Sequence, residues 1–428
     1  MASPPPQTPE EARDDRPPPR LLASANPTTS RPGDTPDLFR TVQFSADGTT
    51  LLGSTWNHYL TSYVLPQDLL SPDSAPHHLS PQGTVHLHSP IRSLAPSPLF
   101  SLSDPSSQTA LVATNDHPIQ LHHLFPYSPD TSRIASYKLI NASTEAYITP
   151  TSLLWPSPGS IFLCGSANRL DVFDVSREGE EGHYTTLQTT ARPSSGRVHG
   201  WKGTISALAA SPPDAGPSSV LAAGSWNRWV GLYDYLRTPA PISHWSLAGV
   251  VDPSSGTEIP GSGVVQTIWS PCGRYLAINE RNSHGVVLYD IRGGHKLLGV
   301  LGPRDAGTQM RLACDVFATG ADASERGQFE LWGGTLDGSV KVWENAGVSP
   351  GREDSRRSWE WKAHEAPVTN TALHPSGSVV VTSAGTFGSP SDSVVDSMVG
   401  RLNGDGVAEM PMTHVTPDTS FKIWECAA

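Results

Sequence analysis

From Leu38 onward the chain alternates short apolar strings with polar turns rich in Gly, Pro, Ser, Asn and Asp. Strings of this length predict strands joined by tight turns, not long helices. One unit recurs along the chain. It is an apolar strand, a Ser-Pro-x-Gly-like turn, a second apolar strand, a polar turn, and a third strand that closes on an aromatic. The clearest copies are FRTVQFSADGTTLLGSTWNHYLTSYVL (39–65) and VVQTIWSPCGRYLAINERNSHGVVLYDI (264–291). A third, VTNTALHPSGSVVVTSAG (368–385), is completed after an insertion by TPDTSFKIWE (416–425). Weaker copies occupy 109–125, 151–175, 204–236 and 329–344.

The spacing inside the unit identifies it. In a WD40-type blade an Asp or Asn in the turn before the third strand lies six residues ahead of the closing aromatic. Asn57/Tyr63, Asn227/Tyr233, Asp337/Trp343 and Asp418/Trp424 obey this rule, and Asp116/His122 obeys it with histidine in the aromatic slot. Asn168/Phe173 is one residue short and Asn282/Tyr289 one long. Two stacked sandwiches would give neither the rule nor seven copies, so the pattern predicts an all-β, seven-bladed WD40 β-propeller. Successive closing positions lie 59, 51, 60, 56, 54 and 81 residues apart. A compact blade needs about 40–45, so every blade carries an insertion, the longest at 386–415. The expected propeller runs from 38 to 428 behind a proline-rich tail, 1–37, which is too poor in large apolar side chains to fold. The chain stops just after the third strand of the last blade, leaving that blade short of its outermost strand. The apolar patch at 20–24 (RLLAS) is the N-terminal candidate to supply it, because a bare strand edge templates aggregation.

Composition narrows the chemistry. The 428 residues carry a net charge of −12, so indiscriminate coating of polyanions is not expected, and neither is DNA as a partner. No apolar run is long enough to cross a membrane, and the N-terminus lacks the apolar core of a secretory signal. The four cysteines, Cys164, Cys272, Cys314 and Cys426, form no C-x-x-C pair, which points to a reducing compartment and against a disulfide framework or zinc site. There is no phosphate-binding G-x-x-x-x-G-K-[ST] loop and no G-x-S-x-G elbow. Gly261-Ser262-Gly263 lacks the third glycine of a dinucleotide loop, and Pro367 would break the helix that the His364-Glu365 start of an H-E-x-x-H motif requires. The close histidine groups, 77–78, 86/88 and 122–123, read as strand or surface residues. The expectation is a protein without catalytic residues, cofactor or metal.

Function is then sought on the loops of a rigid scaffold. The seven Asp/Asn turns of such a propeller share one rim, and here they hold Asn57, Asp116, Asn168, Asn227, Asn282, Asp337 and Asp418 as structural residues. Around them stand Trp56, His58, His117, Arg169, Trp226, Arg228, Trp229, Arg281 and His284. Indole plus guanidinium is what splayed single-stranded RNA requires, namely stacking surfaces and planar donors to phosphate or base edges. The same composition also describes a protein-binding hot spot, and simple packing between blades is a third reading.

The order of blades resembles the telomerase Cajal body protein family, WD40 proteins that carry small Cajal-body RNAs and telomerase RNA. FRTVQFSADGTTLLGSTWNHYLTSYVLP resembles the family's opening blade, and ATNDHPIQLHHLF its second. GTISALAASP with AAGSWNRWVGLYDY resembles the blade reading G-I-I-S…A-x-G-S-x-x-R-x-x-G-L-Y, and the late FKIWE matches the short final strand. The likeness covers about residues 20–426. It implies a nuclear protein of the Cajal body or nucleoplasm, with a cytoplasmic fraction, that binds small nuclear RNA and ribonucleoprotein partners in their biogenesis, telomerase RNA among the candidates. Some fungal relatives act around pre-mRNA splicing. The competing expectation is a general WD40 scaffold with protein partners only, in splicing, signalling or ubiquitin ligation.

Overall fold

A computed structural model describes residues 16–27, 37–128, 131–179, 182–191, 199–212, 220–292, 294–318, 320, 328–348, 357–388 and 414–426. Seven sheets of four or five strands, antiparallel but for one edge of the last, follow one another as blades, each with its first strand innermost. The first blade is typical. Phe39–Phe44, Thr50–Thr55, Tyr59–Val64 and Gly83–His86 pair in chain order. The inner strands of the remaining blades begin at Ile91, Ser152, Ile205, Val264, Cys314 and Val368. The fold is thus the all-β, seven-bladed propeller that the repeat predicts.

The core is divided into layers between adjacent blades, and this division explains the repeat. All seven closing positions, Tyr63, His122, Phe173, Tyr233, Tyr289, Trp343 and Trp424, are less than one-tenth exposed. Between the last blade and the first, Phe39 and Tyr63 meet Phe421 at ring-centroid distances of 5.2 and 4.9 Å. A large ring at this position fills the wedge that opens where two twisted sheets splay.

The last blade is assembled from distant pieces. Its sheet runs Val368–Leu373, Val379–Ala384, Phe421–Glu425, Leu21–Ala25, with His77–His78 as a fifth, parallel edge. Leu21 pairs with Trp424 and Ala25 with Phe421, while Ala23 and Ser24 face His77 and His78. Leu22 and Ala23 are buried in the layer that holds Phe39, Tyr63 and Phe421. At the neck of the 386–415 insertion Phe387 pairs with Val415 and Gly388 with His414; residues 389–413 lie outside the described residues. So do 1–15 and 28–36 of the tail region.

Candidate functional site

The turn between second and third strands requires one residue in the left-handed region, φ between +50° and +95°. Gly338 takes it in the sixth blade (φ 92°), where a Cβ would strike the His364 carbonyl oxygen at 2.2 Å. Asp116, Asn168 and Asn282 take it themselves in the second, third and fifth blades, as their short polar side chains permit. In the first and fourth blades it falls on His58 (φ 69°) and Arg228 (φ 62°), which leaves the preceding tryptophan at the tip of the turn. Trp56 is 40% exposed and Trp226 37%, two of the few large apolar side chains left open.

Some turn polar groups reach the segment leading into the next blade, and others brace their own blade. The Asn168 Oδ1 accepts from the Gly203 amide at 2.7 Å, and the Asn282 amide donates to the Thr308 carbonyl at 2.9 Å. Asn57 donates its amide to Asp37 at 3.0 Å, and Asp116 its amide to Thr149 at 3.1 Å. Asn227 Nδ2 donates to the Lys202 carbonyl at 3.4 Å. Asp337 accepts from the Ser339 amide and hydroxyl at 3.2 and 2.9 Å. In the last blade Asp418 holds His364 Nδ1 at 2.9 Å, while His364 Nε2 and Trp424 Nε1 both meet Thr382 Oγ1, at 2.8 and 2.9 Å. The next residue, Ser383, takes no part in this network. Side chains alternate along a strand, so Ser383 points the other way and accepts from Asn370 Nδ2 at 2.8 Å. Burial alone would raise the Asp418 carboxyl. The bond and charge of His364, with Ser420 and Lys422, outweigh it and hold the group well below the usual carboxylate range.

The rim residues divide sharply. Arg228 turns inward, its guanidinium bidentate on the buried Glu280 at 2.9 and 3.1 Å and on the Ile259 carbonyl at 2.9 Å. Arg169 is spent on the fully buried Asp171 at 2.6 Å, beside His183 at 2.8 Å. Trp229 tilts against His244, 5.9 Å away, and His117 Nδ1 sits 2.5 Å from the Asn115 carbonyl oxygen. His58 is half-buried and His284 exposed. Trp226 is different, because Arg281 lies over its ring at 5.4 Å.

Three arginines that sequence reasoning passed over join it. Arg40 lies over Trp56 at 5.0 Å, repeating the Trp226–Arg281 pair. Arg40 and Arg92 occupy the same position, second in the innermost strand, where both sheets carry a bulge, Phe39/Thr41 and Ile91/Ser93. A bulge re-aims its extra side chain. Arg92 also donates to Asn115 Oδ1 at 2.5 Å. Arg311 comes from the segment that leads into the sixth blade, and among the described residues it has no hydrogen-bond or ion-pair partner. Burial, then the charges of Arg92 and Arg311, push Arg40 down to about 10. Arg311 is likewise lowered by burial and then by Arg281. Arg311 is crowded by neighbouring atoms yet still open to solvent. An arc runs Trp56–Arg40–Arg311–Arg281–Trp226, with Arg92 beside Arg40, its neighbouring cations repelling one another and an indole at each end. The signal was present in the sequence as the matched Phe39-Arg40-Thr41 and Ile91-Arg92-Ser93 triplets at equal blade position.

No protein-family model matches the chain. The chain is 24% identical over 396 residues to telomerase Cajal body protein 1 of Bos taurus, covering 91% of this chain and 65% of that protein. The likeness to the telomerase Cajal body proteins therefore stands. The Rattus norvegicus telomerase Cajal body protein 1 agrees, 23% identical over 83% of this chain and 61% of its own length. The chain is also 26% identical over 322 residues to guanine nucleotide-binding protein negative regulator 1 of Schizosaccharomyces pombe, 72% of this chain and 71% of that one. It thus spans between 61% and 71% of the length of these relatives. Among solved structures, the β-propeller domain of Cps50 (Swd1) from Myceliophteria thermophila superposes with a TM-score of 0.55 at 12% identity, over 91% of this chain and 97% of that domain. That likeness concerns fold alone. The match to the Bos taurus Cajal body protein is one of sequence, and it too extends over most of the chain.

Proposed function

We propose that the chain is a non-enzymatic WD40 scaffold of the nucleus that binds a small nuclear RNA, within a ribonucleoprotein, across the Trp56–Trp226 arc. The observation that carries the reading is the doubled indole–guanidinium pair with two further arginines between. Indole faces stack splayed bases, and clustered guanidinium groups that have no carboxylate partner among the described residues attract phosphate. Glu280 does not compete, because Arg228 already neutralises it. Similarity to telomerase Cajal body proteins supports the same reading and favours Cajal-body RNA as the class. A second reading, a scaffold for proteins alone, is favoured by the relative named for a guanine nucleotide-binding protein and by the open indoles, which also suit a protein hot spot.

Base stacking on an aromatic contributes about 1–3 kcal/mol per base, and 1.4 kcal/mol is tenfold. Trp226→Ala and Trp56→Ala should each weaken retention of small nuclear RNA by about tenfold in a filter or crosslinking assay, with unchanged circular dichroism. Folded variants that retain RNA in full would leave the protein-only scaffold as the reading.

A further inference from the structure

The outer strand of the sixth blade, Arg357–Lys362, places tryptophans at alternate positions and so on one face. Trp359 and Trp361 stack at 5.3 Å, and Trp332 from the strand Glu330–Gly334 meets each edge-on at 5.6 Å. The Nε1 atoms of Trp359 and Trp361 are buried and have no hydrogen-bond partner among the described residues. Acidic groups flank the indoles. Glu330 accepts from Trp332 Nε1 at 2.9 Å, and Glu344 stands close enough to raise the Glu330 carboxyl further than burial already does.

Across this ridge lies the N-terminal segment just ahead of the closing strand. Arg16, Pro17 and Pro18 line one shallow cavity with Trp359, Glu360, Trp361 and Lys362. The Arg16 guanidinium sits 5.4 Å over the Trp359 ring and pairs with Glu344 at 2.5 Å. At the other end of the Arg-Pro-Pro-Pro-Arg string, Arg20 pairs with Glu425 at 2.7 Å and donates to the Ser71 carbonyl at 3.2 Å. The string is pinned at both ends over an aromatic floor.

We propose that this groove is a binding site for an arginine-flanked polyproline segment of a partner protein, for which residues 16–19 are an internal competitor. Pyrrolidine rings in a polyproline helix stack well on indoles, and the segment has little conformational freedom left to lose. Carboxylates beside the indoles select the flanking arginine. Both indole N–H groups stay without a partner among the described residues while the internal string is in place. A partner segment competes with the internal string for the same indole faces and carboxylates. The internal string is tethered through Pro19 to a paired strand, so its effective concentration is on the order of millimolar. Only a partner that exceeds this threshold displaces it. The site lies on the outer edge of the sixth blade, is built from other residues than the arginine arc, and takes a peptide where the arc takes RNA.

The test is fluorescence anisotropy with a labelled peptide of residues 15–21, Asp-Arg-Pro-Pro-Pro-Arg-Leu, titrated with the full chain. A chain carrying R16A, P17A and P18A frees the groove. It should bind the peptide at least tenfold more tightly than the wild type while keeping its thermal midpoint, because these residues lie outside the blades. Adding Glu344→Gln, a change in charge alone, should weaken that binding threefold or more. A peptide with alanine for all three prolines should bind neither chain. Failure of the freed chain to bind, or equal binding of the alanine peptide, overturns the proposal. Sedimentation that shows dimers of the wild type, lost on R16A, would assign the groove to a second copy's tail and overturn it equally.

Discussion

At the scale of single residues, His122 is the most informative. It stands in an aromatic slot, 3% exposed, with Ser132 Oγ 3.2 Å from Nδ1 and Gln120 Oε1 3.0 Å from Nε2. Burial, then the charge of Arg133, pushes its pKa down to about 4. The folded state therefore refuses a proton that the unfolded chain accepts below about 6.5. Stability is complete above that value, falls as pH drops towards 4, and levels below it. The difference amounts to about 3 kcal/mol. Urea midpoints of the wild type should fall between pH 7 and 4.5, and His122→Gln should flatten that decline; parallel profiles would exclude His122 as its source. Asp418 acts in the same sense at lower pH, its contribution lost as the medium acidifies below the ordinary carboxylate value. Residue identity was harder to read than residue position. Nothing in the sequence distinguishes Thr382 from Ser383, because the choice depends on which face of the strand each occupies. Nor does it show that Arg228 meets Glu280, which lies 52 positions along and becomes its partner only when the fourth and fifth blades pack.

At the scale of elements, periodicity carried most of the fold. The six-residue rule reports a fixed turn plus a fixed strand length, and such local geometry is written locally. The two departures follow turn length: two residues separate the strands around Asn168 and five those around Asn282, against three around Asn57 and Asn227. What could not be read is pairing between distant segments, such as His77–His78 running parallel to Leu21–Ala25. Two histidines carry no strand signal of their own, and the edge they cover exists only once the ring is formed. The closing strand gives a direct test. Leu22 is 2% exposed in the layer shared by the first and last blades. Leu22→Ala should cost about 2–5 kcal/mol, as large-to-small core changes do, and lower the urea midpoint accordingly. A neutral variant would mean that the last blade is held by its other strands alone.

At the scale of the whole molecule, the charge distribution is the governing feature. A chain of net charge −12 repels nucleic acid in general, yet concentrates four arginines in one arc. Such a field favours one docking geometry over diffuse contact. Each phosphate neutralised on a single strand contributes about −0.7 to the slope of log affinity against log salt. Replacing Arg40 and Arg311 together with glutamine should therefore make the slope for small nuclear RNA shallower by about 1.4. Filter binding between 50 and 200 mM salt (about the range over which such slopes are read) supplies the measurement. An unchanged slope would place the phosphates elsewhere on the propeller.

The seam of the ring also sets a schedule. Arg20 and Glu425, paired beside the seam, are 405 positions apart. At about 5–20 residues per second, a ribosome needs roughly 20–80 s to deliver the second after the first. Throughout that interval Leu21–Ala25 has been made but its neighbour Phe421–Glu425 has not. Six blades can form in order as they emerge, while the seventh waits until Phe421–Glu425 is made. Until then the nascent ring stays open with a bare strand edge, and this interval is when a chaperone has the most to shield.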